Sequence, residues 1–493
     1  MKAKVFLSIT INIALLFLFS CEKQIKDVPP PPPSDVVPTA KQVAYQQMGM
    51  IGFIHFTVNT FTDKEWGMGD EKNSVFNPSE LDTEQWVKVA KDAGLKELIL
   101  TAKHHDGFCL WPSEYTEHSV KNSPYKDGNG DIVKEFTDAC KKYGIKAGLY
   151  LSPWDRNHAD YGKPEYIEYY RNQLTELLTN YGDISEIWFD GANGGDGYYG
   201  GANEERRIDK LTYYDWENTI ALAKKLQPDL LIFSDAGPDI HWIGNEHGFA
   251  GETFWSTINS DDLIIGGSDS KYLNTGEAGG KSWIVGQCDV SIRPGWFYHE
   301  HEDDKVKTPE QLMDIYYKSV GRNAILLLNL PPDRRGLIHE NDIENLMAFK
   351  AIRDEIFDEN LADGKEVSAD TYWGSHPDYA ANNVTDGNFE TYWAAEKGEK
   401  VATLTLDLGN STTFDHLVLQ EYIPLGQRIN SFTVYVENGE SWKEITGGTT
   451  IGLKRILSFP EVSASKIKLE IETTGEVPTI AEWELFNSDK ENI

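Results

Sequence analysis

The chain has 493 residues and a formal net charge of −33 at pH 7. This length predicts two or three domains, and the acidic balance argues against nucleic acid or an anionic membrane as a partner, because the phosphates of either would be repelled. The aromatic fraction of 12% includes 14 Trp and 23 Tyr, which suits the stacking of sugar rings on aromatic faces but is also usual in large cores.

The N-terminus has a pattern typical of export. Lysines precede a mostly apolar run over residues 5–20, which is short for a membrane span and typical of a signal peptide, expected here over residues 1–20. The run ends at Cys21 in a sequence that resembles a bacterial lipobox, although Phe19 is bulkier than is usual there. We expect lipid attachment at Cys21 and an exported, membrane-anchored lipoprotein of the periplasm or cell surface. Secretion without lipid is the alternative.

Residues 21–40 are expected to link this anchor to the folded protein. Residues 29–33 are consecutive prolines, and such a tract favours a stiff, extended conformation. We expect a spacer that holds the globular part of the protein away from a membrane.

Predicted strands and helices alternate over residues 41–359. Strands are predicted at residues 50–56, 98–102, 145–151, 184–189, 230–234, 283–287 and 324–328. Amphipathic helices are predicted at residues 83–93, 132–143, 165–181, 213–226, 309–319 and 342–357. Such alternation requires parallel strands with right-handed crossovers, and this many units favour an α/β fold of the (β/α)8 TIM-like barrel type.

The pattern changes in residues 360–493. Residues 401–408 and 467–471 alternate strictly, shorter β-rich runs lie between them, and no helix-length pattern appears. We expect an antiparallel β-sandwich in this region.

Two motifs in this second region resemble discoidin-like (factor 5/8 type C) modules. Residues 383–388, Asn-Val-Thr-Asp-Gly-Asn, resemble the opening of these modules, and residues 481–486 resemble their closing strand. Many such modules bind sugars, so the resemblance implies a carbohydrate-binding role as one option. Trp393 is equally open to a packing role and to a role as a sugar platform.

The cysteines give no sign of a disulfide framework. Beyond Cys21 the sequence has Cys109, Cys140 and Cys288, an odd number at wide spacing that suits neither disulfides nor a zinc site. We interpret them as small buried hydrophobic residues.

Polar and aromatic residues collect where the predicted barrel strands end. In chain order they are His55, then Glu65 and Trp66, His104 and His105, Tyr150 and Trp154, Trp188 and Asp190, and finally Glu246 and Glu252. Each alone has an ordinary structural explanation, and Asp190-Gly191 is also a common turn. In a barrel, however, the C-terminal strand ends meet at one face and build the active site.

Two carboxylates on different barrel elements suit glycoside hydrolysis, which needs one ionised and one protonated acid. Neutral His and Tyr can hydrogen-bond sugar hydroxyls, and Trp faces can cover apolar ring edges. A catalytic metal site is not expected, because adjacent His104 and His105 would point to opposite sides of a strand and no His-x-x-x-His spacing appears. The sequence leaves open whether the β-sandwich holds a structural calcium ion. No cofactor is expected.

Several motifs in order resemble the α-L-fucosidases of glycoside hydrolase family 29, from about residue 45 to 358. They are residues 54–62, 65–67, 103–108, 188–191, 289–299 and 327–332. The first block is similar to the subfamily that removes α-1,3/1,4-linked fucose from branched glycans. The resemblance implies that Asp190 is the nucleophile of a retaining, double-displacement mechanism. It also implies a fucose subsite lined by His55, Glu65, Trp66, His104, His105, Tyr150, Trp188 and Trp296.

The acid/base residue is less strongly indicated. Residues 242–246 resemble the segment that carries it in this subfamily, so we expect Glu246, with Glu252 as the reserve. His241 stands where related sequences tend to have Arg, and Gln287 where many have Glu. A glycine-rich insert over residues 191–201 also lengthens the interval between the two acids.

The resemblance therefore implies an exo-acting retaining α-L-fucosidase that acts on a fucosylated oligosaccharide or glycoconjugate. One alternative is a surface glycan-binding lipoprotein whose barrel has lost catalysis. The other is a retaining exo-glycosidase with a different sugar specificity. The presence of both Asp190 and Glu246 argues against a pure binder, which needs no pair of acids.

Overall fold

The computed structural model describes residues 27–488. The expected signal peptide and Cys21 lie outside these residues, so export and lipid attachment stay predictions. Within the described part of the chain, no helix is both long and apolar enough to cross a bilayer.

Eight parallel strands close into a barrel, in which strand order follows chain order and the last strand pairs with the first. They are β1 Met50–Ile54, β2 Glu97–Lys103, β3 Lys146–Leu151, β4 Glu186–Trp188, β5 Leu231–Ser234, β6 Ile240–Trp242, β7 Val285–Ser291 and β8 Ile325–Asn329. The predicted (β/α)8 fold class is confirmed, and the C-terminal strand ends form one face of the barrel, called the mouth below.

Nine α-helices lie within residues 27–488, most of them between barrel strands. They are α1 Ala40–Gln46, α2 Val58–Thr62, α3 Thr83–Asp92, α4 Ile132–Tyr143, α5 Glu165–Asn180, α6 Trp216–Leu226, α7 Ser270–Thr275, α8 Pro309–Lys318 and α9 Glu340–Ile356. Local chemistry explains why α4 has the predicted bounds. Asp131 caps it by accepting a hydrogen bond from the Lys134 amide, and Gly144 ends it at a φ of 72°, where a side chain would be strained.

Strand β6 was not predicted. It follows β5 through a short turn with no helix between them, so the alternation of strands and helices does not indicate it. The strand predicted at residues 283–287 is divided in two. Ser282–Trp283 pairs with Thr257–Ile258 outside the barrel, and β7 begins only at Val285.

The C-terminal region is the predicted antiparallel sheet domain. Its six-stranded sheet consists of β9 Glu366–Ala369, β10 Val401–Gln420, β11 Ile429–Asn438, β12 Ser441–Gly448, β13 Arg455–Thr473 and β14 Glu482–Phe486. Register shifts interrupt the pairing of the long strands β10 and β13, where a sheet can bend around its own core. Trp393 lies in that core with 1% of its surface exposed, so its role is packing.

The proline-rich segment lies against this sheet domain. The Pro29 carbonyl accepts a hydrogen bond of 2.9 Å from the Trp373 indole, and the Pro32 carbonyl accepts one of 2.7 Å from Arg428. The Tyr379 hydroxyl donates to the carbonyl of the preceding Val28 at 3.0 Å. These residues therefore pack against the sheet domain, whose side chains donate to the carbonyls of prolines that have no N–H of their own. Their role as a spacer from a membrane stays a prediction.

A polar junction holds the sheet domain on the barrel. The Gln427 side chain accepts from the Ser256 amide and donates to the Phe254 carbonyl, both at 2.9 Å. The Arg455 guanidinium donates to the Glu252 carbonyl at 2.7 Å. The loop that follows the predicted acid/base segment therefore faces the sheet domain.

Candidate active site

Asp190 stands just beyond the buried strand β4, at the barrel mouth. Its Oδ2 accepts a hydrogen bond of 2.9 Å from the Tyr150 hydroxyl, and its Oδ1 accepts one of 2.6 Å from the Ala192 amide. Nε2 of His105 lies 3.8 Å from Oδ2, and 24% of the Asp190 side chain is exposed. Donors therefore hold both oxygens, as suits an ionised carboxylate, while a ligand can still reach the group.

The turn after Asp190 is fixed by a second acid, Asp235, at the end of β5. A Cβ on Gly191 would lie 1.8 Å from Asp235 Oδ2, so no larger residue fits there. The same oxygen accepts from the Gly266 amide at 3.0 Å. Burial, aided by the charge of Asp190, raises the pKa of Asp235 to about 7. This shift makes a second negative charge beside Asp190 less favourable.

Histidine and tyrosine side chains form one wall of the mouth. The ring centroids of His104 and His105 are 4.1 Å apart, and His104 stacks on Tyr150 at 5.7 Å. The His55 ring lies 5.6 Å from His104 and 5.2 Å from Trp296. The expectation that His104 and His105 point to opposite sides is wrong, because β2 ends at Lys103 and strand alternation no longer applies.

Burial keeps these imidazoles neutral at neutral pH. It lowers the pKa of His55 to about 3 and that of His105 to about 4, and that of His104 lies well below its usual value. His55 Nδ1 pairs with Asn329 Oδ1 at 2.8 Å, and His105 Nδ1 pairs with Ser152 Oγ at 2.7 Å. A neutral imidazole has one donor and one acceptor nitrogen, which suits a sugar hydroxyl.

Trp188 is held from below by Gln287. Its indole donates to Gln287 Oε1 at 2.8 Å, and its ring stacks on Tyr150 at 5.3 Å. The Gln287 amide group donates to Glu186 Oε1 at 3.1 Å. Burial raises the pKa of Glu97 to about 7 and that of nearby Glu186 well above its usual value. A glutamine at position 287 therefore avoids a third buried carboxyl group at this place.

Glu65 and Trp66 lie at the rim of the mouth. Glu65 accepts from the Trp296 amide at 2.8 Å, from the Phe297 amide at 3.2 Å and from His299 Nε2 at 2.7 Å. The carboxylate thus braces the loop that carries Trp296. Trp66 is 52% exposed, with its ring edge-on to His105 at 5.3 Å.

Glu246 reaches the same mouth from the segment after β6. It is exposed, and its Oε2 accepts a hydrogen bond of 3.2 Å from the Trp296 indole. Asp289 in β7 lies near it. Burial, and then the charge of Glu246, raises the pKa of Asp289 well above its usual value. Glu246 therefore lies between Asp289, whose neutral form is favoured, and Trp296 of the mouth.

Glu252 does not join this group. Its Oε1 lies 3.8 Å from a guanidinium nitrogen of Arg455, and 70% of the side chain is exposed at the junction with the sheet domain. Of the two candidate acid/base residues, Glu246 is the one whose carboxylate contacts a side chain of the mouth.

The glycine-rich insert is built into the rim. Gly195–Gly197 pairs with Glu204–Arg206 as a small antiparallel ribbon. Arg156 donates to Asp196 Oδ1 and to the Gly67 carbonyl, both at 2.7 Å. The insert is thereby connected to the loop that carries Trp66. It therefore forms part of the rim of the mouth, in addition to lengthening the interval between Asp190 and Glu246.

Sequence reasoning did not assign roles to several residues of the site. They are Ser152, Asp235, Asp289, His299 and Asn329. Asp235 directly follows β5 and Asn329 ends β8, the same signal that indicates Asp190. Asp289, His299 and Asn329 also lie inside the family motifs, which assign them no role. Ser152 had no signal, because an ordinary serine after a strand is common.

Comparisons with known proteins agree with this geometry. Residues 39–351 match the family model for α-L-fucosidase, and residues 366–485 match that for the F5/8 type C domain. The chain is 45% identical over 464 residues to α-L-fucosidase 1 of Arabidopsis thaliana, covering 93% of this chain and 89% of that protein.

Solved structures give the same result. A glycoside hydrolase family 29 member from an unknown rumen bacterium has a TM-score of 0.82 at 44% identity, covering 93% of this chain and 78% of its own. A Ruminococcus gnavus fucosidase of glycoside hydrolase family 29, solved in complex with fucose, has a TM-score of 0.84 at 37% identity. It covers 94% of this chain and 97% of its own.

His241 supplies a test of the buried imidazoles that does not touch the mouth. Its Nδ1 pairs with the Trp242 carbonyl at 2.7 Å, and burial lowers its pKa to about 4. In the unfolded chain His241 takes up a proton near pH 6.5, whereas in the folded chain it does so only near pH 4. The free energy of unfolding is therefore highest above pH 6.5 and falls as the pH falls towards 4. At pH 5 this difference lowers the free energy of unfolding of the wild type by about 2 kcal/mol relative to its value well above pH 6.5.

Between pH 7.5 and pH 5, the melting temperature of His241→Gln should therefore fall less than that of the wild type, by about 2 °C. Thermal unfolding at the two pH values measures this. The exposed His247→Gln is the control and should match the wild type. An equal loss in His241→Gln and wild type would show that His241 is not held neutral by burial.

Proposed function

The chain belongs to the α-L-fucosidase family, glycoside hydrolase family 29, and we propose that it removes terminal α-1,3- or α-1,4-linked L-fucose from branched, Lewis-type glycans by a retaining double displacement. Its activity as an α-L-fucosidase follows from the family. The linkage, the stereochemistry and the residue roles are the proposal. The observation that supports the residue roles and the double displacement is the presence of two reachable carboxylates, Asp190 and Glu246, that contact the same wall of aromatic and histidine side chains.

In the first step an Asp190 oxygen attacks the anomeric carbon of fucose, and Glu246 donates its proton to the departing glycosidic oxygen. This geometry requires the carboxyl groups to lie about 5 to 5.5 Å apart. The hydrogen bonds from Tyr150 and Ala192 support the role of Asp190, since they orient its oxygens. Burial and the charge of Asp190 raise the pKa of Tyr150 well above 10, so its hydroxyl keeps the proton that it donates.

In the second step Glu246 acts as a base. It takes a proton from water, and the resulting nucleophile cleaves the fucosyl ester on Asp190 to release fucose with its configuration retained. The exposure of Glu246 supports this role, because both the leaving group and the water must reach it.

The neutral histidines suit the fucose itself. His55, His104 and His105 offer donors and acceptors without charge, which matches an uncharged sugar. The Trp188 ring lies stacked behind Tyr150, so it supports this wall. A binder without catalysis would have no need of the paired acids, so this alternative is not favoured.

The preference for branched substrates rests on the motif resemblance and on the open rim. Trp66 is 52% exposed and Glu246 faces solvent beside Trp296, so the side of the site that receives the departing sugar is not closed. A branched trisaccharide places two further sugars on this side, where exposed aromatic faces can cover them.

Amide variants of the two acids test their roles. Asp190→Asn should lower kcat/KM for every substrate by about 10³-fold or more, since no nucleophile remains. Glu246→Gln should lower kcat/KM for a Lewis trisaccharide by about 10² to 10⁴-fold. It should spare kcat/KM for 2,4-dinitrophenyl fucoside, whose leaving group needs no proton. Steady-state hydrolysis rates measure both effects.

Glu252→Gln is the matched control for Glu246→Gln and should keep wild-type rates on both substrates. If Glu252→Gln showed the selective loss and Glu246→Gln did not, the acid/base role would belong to Glu252.

The linkage proposal predicts faster hydrolysis of a Lewis a or Lewis x trisaccharide than of a linear α-1,2-fucosylated trisaccharide, by about 100-fold in kcat/KM. The reason is that contacts with the second branch stabilise only the branched transition state. Released fucose measured side by side gives the ratio. Equal rates, or a preference for the linear sugar, would contradict the proposed linkage but leave the fucosidase activity intact.

A further inference from the structure

Three side chains at the rim of the mouth place metal-ligating atoms close together. One ligand atom from each of Asp63, His299 and His301 lies within 4.8 Å of the other two. We propose that these residues form a Zn²⁺ site, with two imidazole nitrogens and one carboxylate oxygen as protein ligands and water in the fourth position. This site is separate from the two carboxyl groups proposed for hydrolysis.

His299 already has the surroundings of a zinc ligand. Its Nδ1 lies 2.7 Å from Asp63 Oδ1, and its Nε2 lies 2.7 Å from Glu65 Oε1. A histidine that binds a metal through one nitrogen usually donates its other N–H to a carboxylate, which fixes the ring. Glu65 is that carboxylate here, and the amides of Trp296 and Phe297 hold it in place.

The other two ligands are open to solvent. The His301 side chain is 64% exposed and that of Asp63 is 50% exposed, whereas that of His299 is only 7% exposed. An ion can therefore enter from solvent, and the two outer side chains can shift by the small distance that zinc coordination needs. The backbone of Asp63 is fixed, since it ends α2 and its amide bonds to the Asn59 carbonyl.

The ligand chemistry favours zinc over calcium or magnesium. Two imidazoles with one carboxylate suit a borderline-soft ion, whereas calcium and magnesium prefer oxygen ligands alone. Three protein ligands with one open position are common for zinc. Binding displaces the proton between His299 Nδ1 and Asp63 to the buffer, while the Nε2 proton stays on the hydrogen bond to Glu65.

Occupation of the site would connect a metal ion to the sugar subsite. Zn²⁺ on His299 would immobilise Glu65 and, through it, the loop that carries Trp296. The ion should therefore raise the melting temperature of the protein, because it binds the folded state and not the unfolded one.

Calorimetric titration of the metal-free full-length chain with ZnCl₂ at pH 7.5 tests the proposal. We expect one ion per chain with a dissociation constant of about 10 µM or tighter, and a rise in melting temperature at saturating zinc. His301→Ala and Asp63→Asn should each weaken binding by about tenfold or more. Co²⁺ titration should give visible absorption bands of a four-coordinate ion, lost in the same variants.

His376→Ala is the matched control. His376 also lies near an aspartate, with its Nδ1 3.5 Å from Asp378 Oδ2, but it belongs to the sheet domain. This variant should bind zinc as the wild type does. Because His301 is largely exposed, its substitution should keep the metal-free melting temperature, which shows that the fold is intact.

Absence of saturable binding at about 100 µM Zn²⁺ would overturn the proposal. Undiminished binding in His301→Ala, or loss of binding in His376→Ala, would also overturn it. Calorimetry does not depend on turnover, so this result is independent of the proposed fucosidase mechanism.

Discussion

The barrel mouth depends on holding one carboxylate, Asp190, in reach of a substrate among other acids and imidazoles. Hydrogen bonds from Tyr150 and Ala192 occupy its two oxygens. Burial disfavours charge on its neighbours: it raises the pKa of Asp235 to about 7 and lowers that of His105 to about 4. In a chain with a net charge of −33, burial thus limits further negative charge beside the one carboxylate, Asp190, that the barrel mouth requires.

A second set of contacts holds these groups in position. Asn329 at the end of β8 fixes His55, and Gln287 in β7 fixes Trp188. Glu65 braces the loop of Trp296, whose indole in turn contacts Glu246. The two proposed catalytic acids are therefore joined through side chains of several barrel strands, and their geometry depends on closure of the whole barrel.

The sequence was enough to predict the barrel, the sheet domain and most of the mouth, because strand and helix periods are local and strand ends share one face. Local patterns could not predict β6, because it follows β5 through a short turn without an intervening helix. They also could not separate Glu246 from Glu252. That distinction depends on Arg455, which packs against the barrel loop from the far C-terminal domain. Likewise, the docking of Pro29 and Pro32 depends on donors from that domain.

The central claim, that Asp190 is the nucleophile, is tested most directly by trapping its covalent intermediate. The enzyme should react once with a 2-fluoro fucosyl fluoride and then stay covalently labelled. The fluorine at C2 slows both steps of the double displacement, and the good fluoride leaving group speeds up only the first step. Proteolysis and mass spectrometry should find one fluorofucosyl group, and fragmentation should place it on Asp190. A label on Asp235, Asp289 or Glu246, or turnover with inverted product and no label, would contradict the account.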